Sequence, residues 1–324
     1  MKRVILIMIT LLLMMTIVGC TQNDLEDYKS AMNKTENMER GKVEVDIKST
    51  TKYNTEELDD ETLAILDKFD EFSFTTIGRF DRQKKRTINE SYVILGDLGY
   101  DFNIYGLDDK HYLELLFVNI NDKKFIELSE NEVVIEEDIP EDVFEEFAKK
   151  WNNILMEDNV TKGEKVLITT DDGEVKSREF TIDLKDEQLK ELLSYFIDLI
   201  KDNEDFEKFF EDMVHYSNEE ELTNDQKREI YDEIISNINK MFLDANEINL
   251  YYKAYIDIDG YVVKEDIRFN LRNKETKSGE LESINFEMTN KYTNIEKEQE
   301  LDFETPTQQN TIKFEDINWE EVKW

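Results

Sequence analysis

Apolar and polar residues alternate with a period of two through most of this chain, and few folds accommodate that pattern. One such series is Val43, Val45 and Ile47, and another is Phe72, Phe74, Thr76, Gly78 and Phe80. Further series are Leu98, Tyr100, Phe102 and Ile104, then Leu113, Leu115 and Phe117. The pattern returns late in the chain with Ile248, Leu250, Tyr252, Ala254, Ile256 and Ile258, then Tyr261, Val263, Ile267, Phe269 and Leu271. Ile284, Phe286 and Met288 form one more strand, Ile295, Leu301 and Phe303 another, and Ile312 with Phe314 a short last one. Strands with one wet and one dry face belong to antiparallel sheets. Only 2 Pro and 10 Gly occur in 324 residues, so regular elements should be long and loops short.

Turn chemistry falls between these strands. Asn121-Asp122-Lys123, Asp171-Asp172-Gly173 and Asp259-Gly260 supply residues that tolerate a left-handed backbone. The basic run Arg82 to Arg86 sits where a hairpin turn belongs. Helical spacing appears in four places. Leu25, Tyr28, Met32, Thr35 and Met38 mark the first, and residues 54–69 a short second. Pro140 opens a third, with the stripe Val143, Phe144, Phe147, Trp151, Ile154 and Leu155. Residues 185–245 form a helical block carrying Leu189, Leu192, Phe196, Ile200, Phe209 and Ile235. The expected class is α+β, with two runs of strands separated by helices.

The amino terminus has a different character. Met1-Lys2-Arg3 precedes an apolar run from Val4 to Met15, too short for a span of about 20 residues. Ile17-Val18-Gly19-Cys20 closes it and resembles a bacterial lipobox. That resemblance implies cleavage of residues 1–19 and lipidation of Cys20 by a diacylglyceryl group, whose two acyl chains hold a protein firmly to a membrane. An uncleaved helical anchor, or an ordinary signal peptide with an accidental cysteine, are the alternatives. Cys20 is the only cysteine, so no disulfide framework exists and the fold rests on its own core. The expected address is the extracytoplasmic face of a bacterial cell membrane, with residues 20–324 as a single domain.

The chain carries 77 Asp plus Glu against 40 Lys plus Arg, a net charge of −37. Such a field repels nucleic acid, so DNA or RNA partners are not expected. Nineteen Phe, 14 Tyr and 3 Trp, laid out periodically, argue against disorder. Motifs for chemistry are missing. Gly96, Gly99 and Gly106 lack the lysine and helix start of a phosphate loop and suit turns and strand kinks. Asp257-Ile258-Asp259-Gly260 opens like a calcium loop, but its glycine falls at the fourth position instead of the sixth. The two histidines, His111 and His215, lie on different elements. No catalytic residue, cofactor or metal site is assigned, and a non-enzymatic role is expected.

The layout as a whole resembles Gram-positive lipoproteins with a LolA/LppX-like fold. The likeness rests on the lipobox, the helix around Tyr28-Lys29-Ser30-Ala31-Met32 and the junction of Phe180-Thr181-Ile182-Asp183-Leu184 with Gln188 to Leu193. It continues through the Tyr255 to Gly260 hairpin to Thr311-Ile312-Lys313-Phe314. It spans most of residues 24–316; the helical block 185–245 is longer than that fold needs. The resemblance implies a large curved antiparallel sheet, an incomplete barrel with helices packed on its concave side, carrying a hydrophobic ligand or a lipidated protein between the two. Candidate lining residues are Phe74, Tyr100, Phe102, Ile104, Tyr252, Ile256, Val263, Ile267, Phe269 and Phe286. The competing expectation is that these residues simply form a core. A functional alternative is an acidic surface module that recruits a cationic protein or cell-wall component.

Overall fold

The computed structural model describes residues 23–317 apart from 57, 59–62, 64–69, 97, 119, 121, 129–140, 172, 202, 204–222, 275, 278 and 279. Its elements run α1 (Asp24–Glu36), β1 (Arg40–Tyr53), β2 (Glu71–Asp81), β3 (Arg86–Leu95), β4 (Leu98–Leu107), β5 (Lys110–Leu115) and β6 (Phe125–Leu128). They continue with α2 (Glu141–Ile154), β7 (Val160–Thr170), β8 (Gly173–Ile182), α3 (Asp186–Lys201) and α4 (Asn224–Asp244). The last are β9 (Glu247–Asp257), β10 (Val262–Arg272), β11 (Leu281–Thr293) and β12 (Thr311–Lys313). The class is α+β, as the alternation and helical spacing predict. Most of the helix expected over 54–69, and the Phe206 to Val214 part of the helical block, lie outside the described residues, as does Cys20.

All twelve strands belong to one open, curved sheet in the order β12-β6-β5-β4-β3-β2-β1-β11-β10-β9-β8-β7. Two antiparallel meanders, β1–β6 and β7–β11, meet where β1 pairs with β11 from Lys42 opposite Thr293 to Tyr53 opposite Leu281. The two runs of strands are therefore one surface. Every pairing is antiparallel except β12 on β6. The ends stay apart, so the barrel is not closed. Its curvature is visible in one contact. Asp171, at the tip of the β7–β8 hairpin, comes 2.5 Å from Lys42 on β1, although three strands separate β8 from β1 in the sheet.

Helices cover one face of the β7–β10 half. α1 begins at an Asn23 cap, whose side chain accepts from the Leu25 amide at 3.0 Å, and has Asp24, Glu26 and Asp27 in its first turn. It buries Leu25, Tyr28, Ala31 and Thr35. Leu25, Tyr28 and Ala31 meet Ile154, Leu155, Leu189 and Leu192 from the other helices and Phe180, Ile182, Tyr252 and Ala254 from the sheet. A buried amide pair locks this junction. Asn159, 1% exposed, exchanges hydrogen bonds of 2.9 Å with Gln188, accepts from the Met156 amide and donates to the Asp183 carbonyl.

Four expectations need correction, the first being that β5 ends at Leu115, which leaves Phe117 in the following turn. Residues 295–303 do not form a strand. After β11, Asn294 and Glu296 take left-handed backbone angles, and the chain crosses the sheet's other face as an irregular strap. Leu301 and Phe303 then pack on Ile88, Tyr105, Tyr112 and Phe125. Their alternation is satisfied by side-chain burial without a hydrogen-bonded partner. Phe314 belongs to a 3-10 turn after β12. Ile258 leaves the alternation because β9 ends at Asp257, and its side chain is 91% exposed in the turn. Among the turn glycines, Gly260 takes φ +83, as Asp259-Gly260 predicts, and Gly96 takes φ +55 between β3 and β4. Gly106 sits within β4, where an added Cβ would strike the Thr87 hydroxyl on β3.

Candidate ligand-binding face and edge cleft

Directly opposed residues of antiparallel strands share a face. Following the register, Ile182 lies opposite Tyr252, Tyr252 opposite Ile267, and Ile267 opposite Met288. Met288 lies opposite Ile47, then Phe74, Val93 and Tyr100 follow. One apolar row thus crosses eight strands, roughly 34 Å at the usual strand spacing.

Nine of the ten predicted lining residues fall on the face that carries this row, which the helices cover over its β7–β10 half. Tyr252, Ile267, Phe74 and Tyr100 stand in the row itself. Phe269 and Phe286 oppose each other one step to one side of it. Phe102, Ile104 and Ile256 lie on the same face by their strand parity. Val263 sits in the register shift between Val262 and Lys264. Burial divides the set. Ile104, Tyr252, Ile256 and Val263 are buried, whereas Phe74, Tyr100, Phe102, Ile267, Phe269 and Phe286 are half-buried. Tyr252, Ile256, Ile267 and Phe269 join the packed cluster beneath the helices.

That cluster has a polar centre. Glu265 on β10 is 4% exposed and faces the helices, between Val262 and Ile267. Its carboxylate accepts from the hydroxyls of Tyr252 and Tyr292 and from the Asn290 amide at 3.0 Å. Tyr28 extends the chain by donating to Tyr252 at 3.0 Å. Burial, reinforced by the Glu265 charge, raises the hydroxyl pKa of Tyr252 and Tyr292 far above the ordinary phenol value. Burial and the same charge also raise Glu36. The signal for Glu265 was an acid on the dry side of an otherwise apolar alternation, a position that needs partners from other strands.

A cleft of about 420 Å³ opens at the edge of this face, between α1 and the β7–β9 strands. Ala31, Phe180 and Ile256 give it an apolar floor continuous with the buried cluster, and Ile258 stands at its rim. Lys162, Lys165, Lys176 and Arg178 line it with Asp27 and Asp257. Of the ten predicted residues only Ile256 reaches it. A second cleft, about 600 Å³, is polar and mixes Lys52, Arg272 and Lys274 with Glu247 and Glu282. Among the described residues no group of His, Cys, Asp or Glu could hold a metal ion. His111 is half-buried on β5 opposite Gly106 and Leu128, and His215 lies outside the described residues.

No family model matches the chain, and no curated protein matches it. A β-barrel-like protein of a domain of unknown function, DUF1849, from Brucella abortus is similar to it at 10% identity over 79% of this chain and 97% of that one, with a TM-score of 0.16. At that level the comparison carries no argument, and the open curved sheet stands on its own as a fold compatible with ligand binding.

Proposed function

We propose that the protein is a non-enzymatic lipoprotein of the extracytoplasmic membrane face, related in fold to the LolA/LppX-like lipoproteins, that binds a hydrophobic ligand or the acyl part of a lipidated partner. The cleft beside α1 carries this reading, because its apolar floor belongs to the same cluster as the helix-covered face. Its size lies in the range of small-ligand sites, roughly 300–1,000 Å³. The position of α1 supports the anchor. Asn23 caps the helix only three residues after Cys20, so an acylated Cys20 would keep the α1 start within about 10 Å of the headgroups. Ligand exchange with the membrane would then need little movement.

The test is mass spectrometry of organic extracts from the protein carrying Cys20→Ser, purified without detergent. A co-purifying acyl-chain compound in near-stoichiometric amount is expected. Extracts without one, together with no binding of an added single-chain amphiphile, would overturn the proposal.

A further inference from the structure

The cleft beside α1 is locally cationic in a chain of net charge −37, and its cations are assembled by one irregularity of the sheet. Lys162 opposes Phe180 and Lys165 opposes Arg178, so three residues of β7 cover two of β8. This β-bulge brings Lys162 and Lys165 onto the same face, which a regular strand would not do. Lys176 lies two residues from Arg178 on that face, opposite Leu167. Lys162 is paired with Asp27 at 2.5 Å. Asp257 also lines the cleft, its carboxylate accepting from the Tyr261 amide at 2.8 Å. Arg178 donates to the Gly163 carbonyl at 3.2 Å. Among the described residues, Lys165, Lys176 and Arg178 make no ion pair. Lys165 and Arg178 stand directly opposite each other, and like charges so placed repel. Acidic side chains outnumber basic ones almost two to one in the sequence, yet among the described residues the one ion pair in this cluster is that of Lys162 with Asp27. Beside it project two apolar side chains with no cover, Leu167 at 56% exposure and Ile258 at 91%.

We propose that this cleft takes a single-chain anionic amphiphile. Its phosphate or carboxylate headgroup would be held by Lys165, Lys176 and Arg178, and its tail laid over Ile258 towards Phe180 and Ile256. This rests on the hydrophobic-ligand reading above and adds the headgroup. Charge complementarity selects the ligand. An anion relieves the cross-strand repulsion, lysine and guanidinium groups suit phosphate and carboxylate oxygens, and a neutral or cationic head does neither. The chain's net charge of −37 works against close docking of an anionic bilayer or a nucleic acid, so a monomeric amphiphile suits the site better than a membrane patch.

The experiment compares dodecyl phosphate, dodecyl maltoside and inorganic phosphate by calorimetry, the two detergents below their micelle concentrations, on the protein carrying Cys20→Ser. Dodecyl phosphate should bind about tenfold more tightly than the maltoside, with a preference that shrinks as salt is raised. Lys165→Gln with Lys176→Gln, both exposed, should abolish the preference and leave maltoside affinity unchanged. Ile258→Ser should weaken both detergents alike. Equal affinities, or a preference that survives the double lysine variant, would overturn the headgroup assignment and leave the hydrophobic site standing. Inorganic phosphate binding as tightly as dodecyl phosphate would overturn the amphiphile. Failure of both detergents to bind would sink this proposal and the hydrophobic-ligand reading together.

Discussion

The Tyr28 hydroxyl donates to the Tyr252 hydroxyl across 3.0 Å, tying the first helix to the middle of the sheet through a side chain that itself donates to Glu265. The rings meet edge to face with centroids 6.1 Å apart. Removing the middle member should cost most. Tyr252→Phe leaves the Tyr28 hydroxyl and one Glu265 oxygen without their partner in a dry cluster, a loss of roughly 1–3 kcal/mol. Tyr28→Phe removes the outer donor, and with it an acceptor for Trp151, and should cost about 1 kcal/mol. Denaturant unfolding of both variants checks the order; a larger loss for Tyr28→Phe would contradict it.

The same cluster predicts an alkaline weakness. Burial comes first among the causes that raise the hydroxyl pKa of Tyr28, Tyr252 and Tyr292 above the ordinary value of 10.0. The stability that these hydroxyls contribute is therefore complete below pH 10. It falls as pH rises above 10, because the unfolded chain releases those protons first. Tyrosinate absorbance should show part of the 14 tyrosines silent until the protein unfolds. Full titration of every tyrosine near pH 10 in the folded protein would refute this.

Asn159 offers a sharper mutational test. Its side chain closes the turn before β7 and holds the start of α3 through Gln188, which also donates to the Ile154 carbonyl at 2.9 Å at the end of α2. Asn159→Ala should destabilise the protein by roughly 1–3 kcal/mol for each buried group that finds no replacement partner. Thermal unfolding with Gln188→Ala and the double variant would measure the coupling. Additive losses would show that the two amides do not act as a pair.

The strap across the other face should behave as core despite its irregular backbone. Leu301 is 4% exposed against Ile88, Tyr105, Tyr112 and Phe125. Leu301→Ala should cost about 2–5 kcal/mol, the usual range for a buried leucine. A change near zero in chemical denaturation would mean that the strap is dispensable.

Cys20→Ser should release the protein from the membrane fraction and block acyl labelling, with the secondary structure by circular dichroism unchanged. Retention of the variant in membranes after a high-salt wash would point to an uncleaved helical anchor instead.

Most of the strands, the helices around Tyr28, Trp151 and Leu192, and the alternation of faces within each regular strand were legible in the sequence because they depend on local spacing. Parity alone put Tyr100, Phe102 and Ile104 on one side of their strand, while the pairing register decided that Phe74, Tyr252 and Phe286 share that side. Parity fails wherever the chain is irregular. Leu301 and Phe303 are spaced like strand residues and are buried like them, yet no neighbouring strand pairs with that segment. Nothing local shows whether a hydrogen-bonding partner exists.

Alternation by itself determined that this chain makes strands with one dry face, because each residue's side is set by its immediate neighbours. Only the tertiary structure decided that β1 lies beside β11, that Glu265 meets Tyr252, Tyr292 and Asn290, and that helices close one half of the face. It also decided the cationic cleft. Lys162 and Lys165 are three residues apart, a spacing that puts them on opposite sides of an unbroken strand, and the bulge that unites them is visible only against β8. Long-range pairing is chosen by the whole sheet at once, so its consequences cannot be read from any one segment.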